Sequence, residues 1–249
     1  MRPVNFLLLP LLLLFDGNLR AQRSIFISQG KIEYEKKFNV WAQLESMHED
    51  EAWMELTKKR MPKFKTTYFD LMFSGSKTLY KPGRENPENN NLWSYPAEDN
   101  IVYSDLDQYK YIGQKKMYGD VFNIQDSTRK INWKITDETK SIAGFTCRRA
   151  NAIVMDSIYV VAFFTEEILS TGGPESFNGL PGMILGIALP HQHITWFATK
   201  VQAIDVIAAN IVPPTKGKKI NQRTLKETLT DRLKDWGAMS QIYQQALEY

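Results

Sequence analysis

Apolar and polar residues alternate along the chain soon after its N-terminal segment. Within residues 24–38, Ile32, Tyr34 and Lys36 fall on one side, and the glutamates between them fall on the other. Successive side chains of a β-strand point to opposite faces of the sheet, so a period of two indicates a strand with one buried face. The pattern therefore predicts a first strand in this segment.

Similar short runs recur through the middle of the chain, separated by glycine or Asp-Ser turn signals. Strands interrupted by turns about every 8 to 12 residues are typical of an antiparallel meander. One run, at residues 157–165, is almost wholly apolar, which favours a central position in the sheet. The strand-like runs lie at residues 65–74, 77–81, 101–136, 144–152, 157–165 and 194–206.

A helix is predicted directly after the first strand. Residues 40–60 follow Asn39, a residue type that caps helix N-termini, and they stop before Pro62. Their last residues are basic, which suits the C-terminal end of a helix dipole.

A second helix is predicted at residues 224–247, with a bend at Gly237. Thr224 and Glu227 have the spacing of a capping box. The apolar side chains recur every three or four residues and therefore share one face, which we expect to pack on the sheet. These side chains belong to Leu225, Leu229, Leu233 and Trp236.

Together these elements predict an α+β fold. We expect a single large curved antiparallel β-sheet, with a helix after the first strand and a C-terminal helix packed on it. The chain shows no internal repeat and no flexible linker, which favours one domain.

The N-terminal segment has the three parts of a secretory signal peptide. Arg2 provides a positive start, an apolar run follows at residues 6–15, and Ala21 offers a small residue for cleavage. The run is shorter than the roughly 20 residues that span a bilayer. We therefore predict a signal peptide at residues 1–21, one domain at residues 22–249, and a periplasmic location.

The charges of the chain are nearly balanced. It carries 31 basic and 28 acidic residues, for a net charge of +3, and no stretch concentrates the positive charge. Nucleic-acid-binding proteins usually show such a concentration, so we exclude nucleic acid as a partner. No second apolar stretch reaches transmembrane length, and the mature protein is predicted to lack a transmembrane span.

The single cysteine, Cys147, excludes an internal disulfide. Phe145 and Ala150 flank it in a strand-like run, which favours burial of a small apolar side chain over a reactive thiol. A pairing of Cys147 with His191 or His193 stays open, but the chain has no G-x-S-x-G motif, phosphate loop or dinucleotide fingerprint. We therefore predict no catalytic residues, no cofactor and no enzymatic activity.

His191 and His193 form the most histidine-rich feature of the chain. On a strand, residues two apart point to the same face, so both imidazoles could bind one metal ion. Pro190 directly precedes them, and two exposed histidines in a turn are the competing interpretation. Metal binding by this pair is kept as an alternative function.

Residues 172–190 are rich in turn-forming residues and end in an apolar run. Pro181 and Gly182 place a Pro-Gly turn directly before residues 183–189. Proline restricts φ, and glycine accepts the positive φ that a type II turn requires. The segment therefore predicts a sharp turn that leads into a buried strand.

One motif in this segment resembles the motif of the GLPGLI family, with methionine in place of the family's second leucine. The runs at residues 142–147 and 163–168 resemble two further family runs, and the order of these runs is similar across nearly the whole mature chain. The family comprises exported proteins, typically of Bacteroidota, without an established biochemical role. The resemblance implies export and a β-rich architecture and supplies no catalytic residues. The motif residues are Gly179, Leu180, Pro181, Gly182, Met183 and Ile184.

A curved sheet covered by helices can enclose a ligand cavity. We therefore interpret the chain as a non-enzymatic binding or carrier-type protein of the cell envelope, for an apolar or peptide-like ligand or an envelope protein partner. The alternatives are a metal-binding protein that uses His191 and His193, and an unrecognised hydrolase. The predicted ligand-binding wall consists of Phe163, Phe164, Leu180, Met183, Trp196 and Phe197.

Overall fold

A computed structural model describes residues 26–46, 51–89, 96–117 and 119–249. Twelve strands lie in these ranges. They are β1 (Gln29–Asn39), β2 (Phe64–Ser74), β3 (Lys77–Pro82), β4 (Ile101–Asp105), β5 (Lys110–Met117), β6 (Asp120–Ser127), β7 (Lys134–Ile142), β8 (Phe145–Val154), β9 (Ile158–Thr165), β10 (Met183–Leu189), β11 (Ile194–Gln202) and β12 (Lys218–Ile220).

The helical elements are few and short. The α-helices are α1 (Val40–Glu45), α2 (Glu51–Arg60), α3 (Gln222–Leu233) and α4 (Ala238–Glu248), and single 3-10 turns lie at Pro87–Asn89, Pro190–Gln192 and Ala208–Asn210.

All twelve strands belong to one curved sheet, in the order β12-β6-β5-β4-β3-β2-β1-β11-β10-β9-β8-β7. The predicted α+β fold with one large curved sheet is thus confirmed. Neighbouring strands are antiparallel except for β12, which pairs with β6 in parallel. The parallel pair was not predicted, because three residues are too few for a periodic signal.

One face of the sheet carries the main core. Ile32, Tyr34 and Lys36 of β1 all point into it and are at most 3% exposed, as the alternation predicts. Each of these positions lies between partners on β2 and β11, which bury it from both sides. We call this face the inner face.

A smaller apolar cluster lies on the opposite face. Leu79, Tyr103 and Ile112 alternate with inner-face residues of β3, β4 and β5, so they point outward. Val206 and Ile211, from the connection between β11 and β12, pack on them. This connection crosses the sheet to the edge at β6, where β12 pairs in parallel.

Each of the two predicted helical segments contains two helices. The first contains α1 and α2, and the C-terminal one contains α3 and α4. The Asn39 side chain caps α1, because its Oδ1 accepts a hydrogen bond from the backbone N–H of Ala42 at 3.1 Å. The C-terminal helix breaks at Gly237, where φ is +56°. Trp236 directly precedes this break and is 41% exposed, so the predicted apolar face ends one turn earlier, at Leu233.

The predicted signal peptide at residues 1–21 lies outside the described residues. In the ranges that the structure describes, no helix is long and apolar enough to cross a membrane.

Candidate functional site

The predicted ligand-binding wall does not form one surface. Phe164, Leu180, Met183 and Trp196 lie in the core and are at most 1% exposed, so they cannot line an open cavity. Phe164, Met183 and Trp196 lie on the interior strands β9, β10 and β11, and Leu180 lies in the segment between β9 and β10 that packs in the same core.

The remaining two wall residues lie on the other face. Phe163 and Phe197 pack against each other across Gly186, with ring centroids 6.3 Å apart. The Lys140 ammonium covers this pair, 4.5 Å from the Phe197 ring centroid. Because neighbouring strand residues face opposite ways, a wall with adjacent residues such as Phe163 and Phe164 divides between the two faces.

The motif at residues 179–184 forms a tighter turn than predicted. Gly182 has the expected positive φ, at +139°. Its N–H donates to the carbonyl of Leu180 at 2.8 Å, whereas a type II turn would be closed by the N–H of Met183. That N–H instead donates to Ile168, which attaches the start of β10 to another part of the inner-face core.

The histidine pair does not lie on a strand. His191 lies in a 3-10 turn, and His193 ends that turn with φ of +55°. The shared strand face assumed for metal binding is therefore absent. Across the described ranges, no group of three or more His, Cys, Asp or Glu side chains could hold a metal ion.

A polar cluster that sequence reasoning missed lies on the inner face. Its centre is Glu175, which is 2% exposed and has φ of +52°. Glu175 Oε2 accepts a hydrogen bond from Asn100 Nδ2 at 3.0 Å, and no described residue bonds its Oε1. An unbonded carboxylate oxygen in the interior is costly, and it marks Glu175 as a candidate functional residue.

Two buried lysines belong to the same cluster. Lys36 Nζ lies 5.0 Å from the Trp196 ring centroid and donates to the carbonyl of Ala97 at 3.4 Å. Burial lowers the pKa of Lys36, and the negative charge of Glu175 opposes this shift. Lys36 was predicted on the apolar side of β1, and that placement was the available sequence signal for this cluster.

Lys115 links the cluster to the C-terminal residues. Its Nζ donates to the carbonyls of Leu247 at 2.7 Å and of Tyr249 at 2.6 Å. Burial lowers the pKa of Lys115 to about 8, with Glu175 again opposing the shift. Arg129 adds a bond to the carbonyl of Glu248 at 2.7 Å.

The cluster therefore combines a carboxylate with two amines of lowered pKa, the residue types that transfer protons in acid–base catalysis. It is also closed, because Glu175, Lys36 and Lys115 are all buried. No sequence signal pointed to Glu175, which lies in an irregular segment between β9 and β10.

These features define a class: an α+β domain with a single curved sheet and a buried cluster of one carboxylate and two lysines on the inner face. The family model described as "N-glycanase peptide, N-terminal domain" matches residues 83–227, more than half of the chain. The chain belongs to this family. None of the curated proteins matches it in sequence.

Two solved structures of PNGF-II share the fold. The structure in space group C2 is 15% identical with a TM-score of 0.52, and the comparison covers 80% of this chain and 32% of PNGF-II. The structure in space group P21 is 15% identical with a TM-score of 0.53, with coverage of 81% and 33%. The chain thus spans about a third of the length of PNGF-II, and the likeness concerns the fold.

These findings correct three predictions. The assignment to the GLPGLI family is wrong, because the family match is to the N-glycanase domain. The predictions of a non-enzymatic binding or carrier-type protein and of no enzymatic activity are wrong for the same reason. A Gly-Leu-Pro-Gly turn reflects backbone geometry that many β-rich proteins need, so a short motif of this kind assigns neither family nor function.

Proposed function

We propose that this chain acts in the enzymatic release of N-linked glycans from glycoproteins. The observation that carries the proposal is the family match over residues 83–227. The shared fold with PNGF-II over 80% of the chain supports it. Because the chain spans about a third of PNGF-II, the activity of the larger protein enters here as a proposal.

Export of the chain fits this substrate. We propose that residues 1–21 are a signal peptide that directs residues 22–249, as one domain, to the periplasm. N-linked glycans are bulky modifications of protein surfaces, mostly in secreted proteins. An exported chain would meet such substrates outside the cytoplasm.

Glu175 is our candidate for the acid–base residue. Hydrolysis of an N-glycan must protonate a leaving nitrogen and activate a water molecule, and a carboxyl group can do either. Glu175 has an oxygen without a described partner and lies close enough to Lys36 and Lys115 to affect the pKa of both. Because Glu175 is buried, a substrate would reach it only when neighbouring segments move aside.

The test uses residues 22–249 as purified protein and a glycoprotein of known N-glycan mass. We expect the glycoprotein to lose that mass on incubation, as measured by intact mass spectrometry. A glycoprotein that carries only O-linked glycans is the control and should keep its mass. Unchanged mass of the N-glycosylated protein at high protein concentration and long incubation would contradict the proposal.

The role of Glu175 has a separate test. General acid–base residues contribute roughly 100-fold or more to rates, so Glu175→Gln should lower glycan release by about that factor. Glu166→Gln is the matched control, because Glu166 is an exposed glutamate whose ion pair with Arg148 lies on the surface. Equal release rates for the two variants would assign Glu175 a structural role only.

A further inference from the structure

A small pocket lies outside the buried cluster, between the turn that joins β8 to β9 and the pair of helices α3 and α4. We infer that this pocket binds one neutral pyranose ring. The inference rests on the proposed function only for the source of that ring, which would be a sugar residue of the N-glycan.

The size of the pocket suits a single six-membered ring. Its volume is about 170 Å³. An interior cavity of about 150 Å³ accommodates benzene, so the pocket has room for one six-membered ring. The other rings of a glycan would extend into solvent.

The lining combines apolar and polar groups as a sugar requires. Met155 and Ile158 supply apolar contact for the C–H face of a ring. Ser157 and Gln241 supply a hydroxyl and an amide, which both donate and accept hydrogen bonds, and Gln244 offers its amide oxygen as an acceptor. Sugar hydroxyls also donate and accept, so these residue types are complementary to them.

Two of the polar groups are held in place. Gln244 Nε2 donates to Thr230 Oγ1 at 3.3 Å and to Glu248 Oε1 at 3.0 Å, which fixes the orientation of the amide. Glu248 is 8% exposed, and Arg129 binds its backbone carbonyl. Side chains that are fixed before binding lose less conformational entropy when a ligand arrives.

The charge of the pocket favours a neutral ligand. Lys226 and Glu248 contribute one positive and one negative group to the lining. An anion such as phosphate would gain from Lys226 and be repelled by Glu248, whereas a neutral sugar can bond to both. We therefore expect a neutral sugar to bind better than an anion.

The turn beside the pocket has strained backbone geometry. Met155 and Asp156 have φ of +48° and +63°, a region in which non-glycine residues are uncommon. Hairpin turns of this shape usually contain Asn-Gly or similar residues. Met155 of this turn lines the pocket, and strain of this kind clusters at functional sites.

The experiment is a titration of the isotopically labelled mature chain followed by amide chemical shifts. The probes are N-acetylglucosamine and mannose, with inorganic phosphate as the anionic comparison. We expect saturable shifts at residues 155–158 and 241–248 with at least one sugar and none with phosphate. Saturation with phosphate, or no saturation with either sugar at tens of millimolar, would overturn the inference.

Variants establish the location of binding. Lys226→Ala and Gln241→Ala should each weaken sugar binding about tenfold, the loss of roughly one hydrogen bond to a ligand. Both residues are exposed on helices, where alanine preserves the fold. Lys234→Ala is the control, since this exposed lysine ends α3 outside the pocket. Equal weakening in all three variants would contradict the assignment.

Glycan release measured on the same variants separates the two proposals. Sugar binding without any glycan release supports the pocket and contradicts the proposed function. Glycan release without sugar binding contradicts the pocket and leaves the proposed function supported.

Discussion

At the scale of single residues, Gly182 and Gly179 show that two glycines of one motif have different roles. Both have positive φ, at +139° and +88°. A Cβ atom at Gly182 would overlap the backbone of Thr165 and lie 2.9 Å from the Cα of Glu166. A Cβ at Gly179 would meet nothing within 4 Å. Gly182 is therefore required by packing as well as by φ.

We predict that Gly182→Ala lowers the free energy of unfolding by more than about 2 kcal/mol, because main-chain atoms must shift to admit the methyl group. Gly179→Ala should cost only about 1 kcal/mol, the penalty of a left-handed conformation. Urea unfolding of both variants measures the difference. Equal losses would show that the close contact at Gly182 does not matter.

Cys147 is fully buried, which confirms the preferred interpretation of its sequence environment. Burial raises the pKa of its thiol to about 12. We predict no reaction with a thiol reagent near pH 8 in the folded protein and complete reaction after denaturation, because the thiolate is the reactive form. Rapid labelling of the folded protein would disprove this.

At the scale of elements, the start of α3 depends on a residue that the predicted capping box does not include. Asn221 Oδ1 accepts a hydrogen bond from the backbone N–H of Thr224 at 2.8 Å. Thr224 is thus the third residue of the helix, and the helix begins at Gln222. The predicted start at Thr224 therefore lies two residues inside the helix, which follows directly after β12 and Asn221.

Replacement of each candidate cap tests this assignment. Asn221→Ala should lower the free energy of unfolding by about 1 kcal/mol, the usual value of an N-cap. Thr224→Ala should change it by less than about 0.5 kcal/mol, since exposed positions outside such features usually have small effects. Thermal unfolding measures both. A larger loss of stability for Thr224→Ala than for Asn221→Ala would support the predicted capping box instead.

At the scale of the whole molecule, Lys115 connects β5 to the C-terminal residues and makes stability depend on pH. Burial lowers its pKa from 10.5 to about 8. Between these values the unfolded chain holds a proton that the folded chain has released, so the free energy of unfolding rises with pH. Below about pH 8 both states are protonated, and the folded state bears the cost of the buried charge.

We predict that the free energy of unfolding rises by about 1 kcal/mol between about pH 7.5 and pH 9. Lys115→Met should reduce this rise, because the substituted side chain does not titrate. Urea unfolding at the two pH values checks both proteins. The measurements stop near pH 9. Above that value Cys147 ionises in the unfolded chain but not in the folded one, which lowers the free energy of unfolding. If the free energy of unfolding of Lys115→Met rises by the same amount, Lys115 is not the cause of the pH dependence.

The sequence by itself determined most of the strands, the positions of several turns and the burial of some individual side chains. Each of these depends on residues close together in the chain. The alternation in β1 placed Lys36 on the buried face, and Gly237 marked the helix break. The predicted sheet class followed from the number and spacing of such local signals.

Only the tertiary structure decided the candidate sites. Asn100 and Glu175 bond across 75 positions, and Lys115 reaches Leu247 across 132. The pocket likewise joins a hairpin turn to two helices at the end of the chain. Hydrophobic periodicity shows which face of a strand or helix is buried. It does not show which distant segments of the chain pack against that face. Strand order in the sheet brings these residues together, and both candidate sites depend on that order.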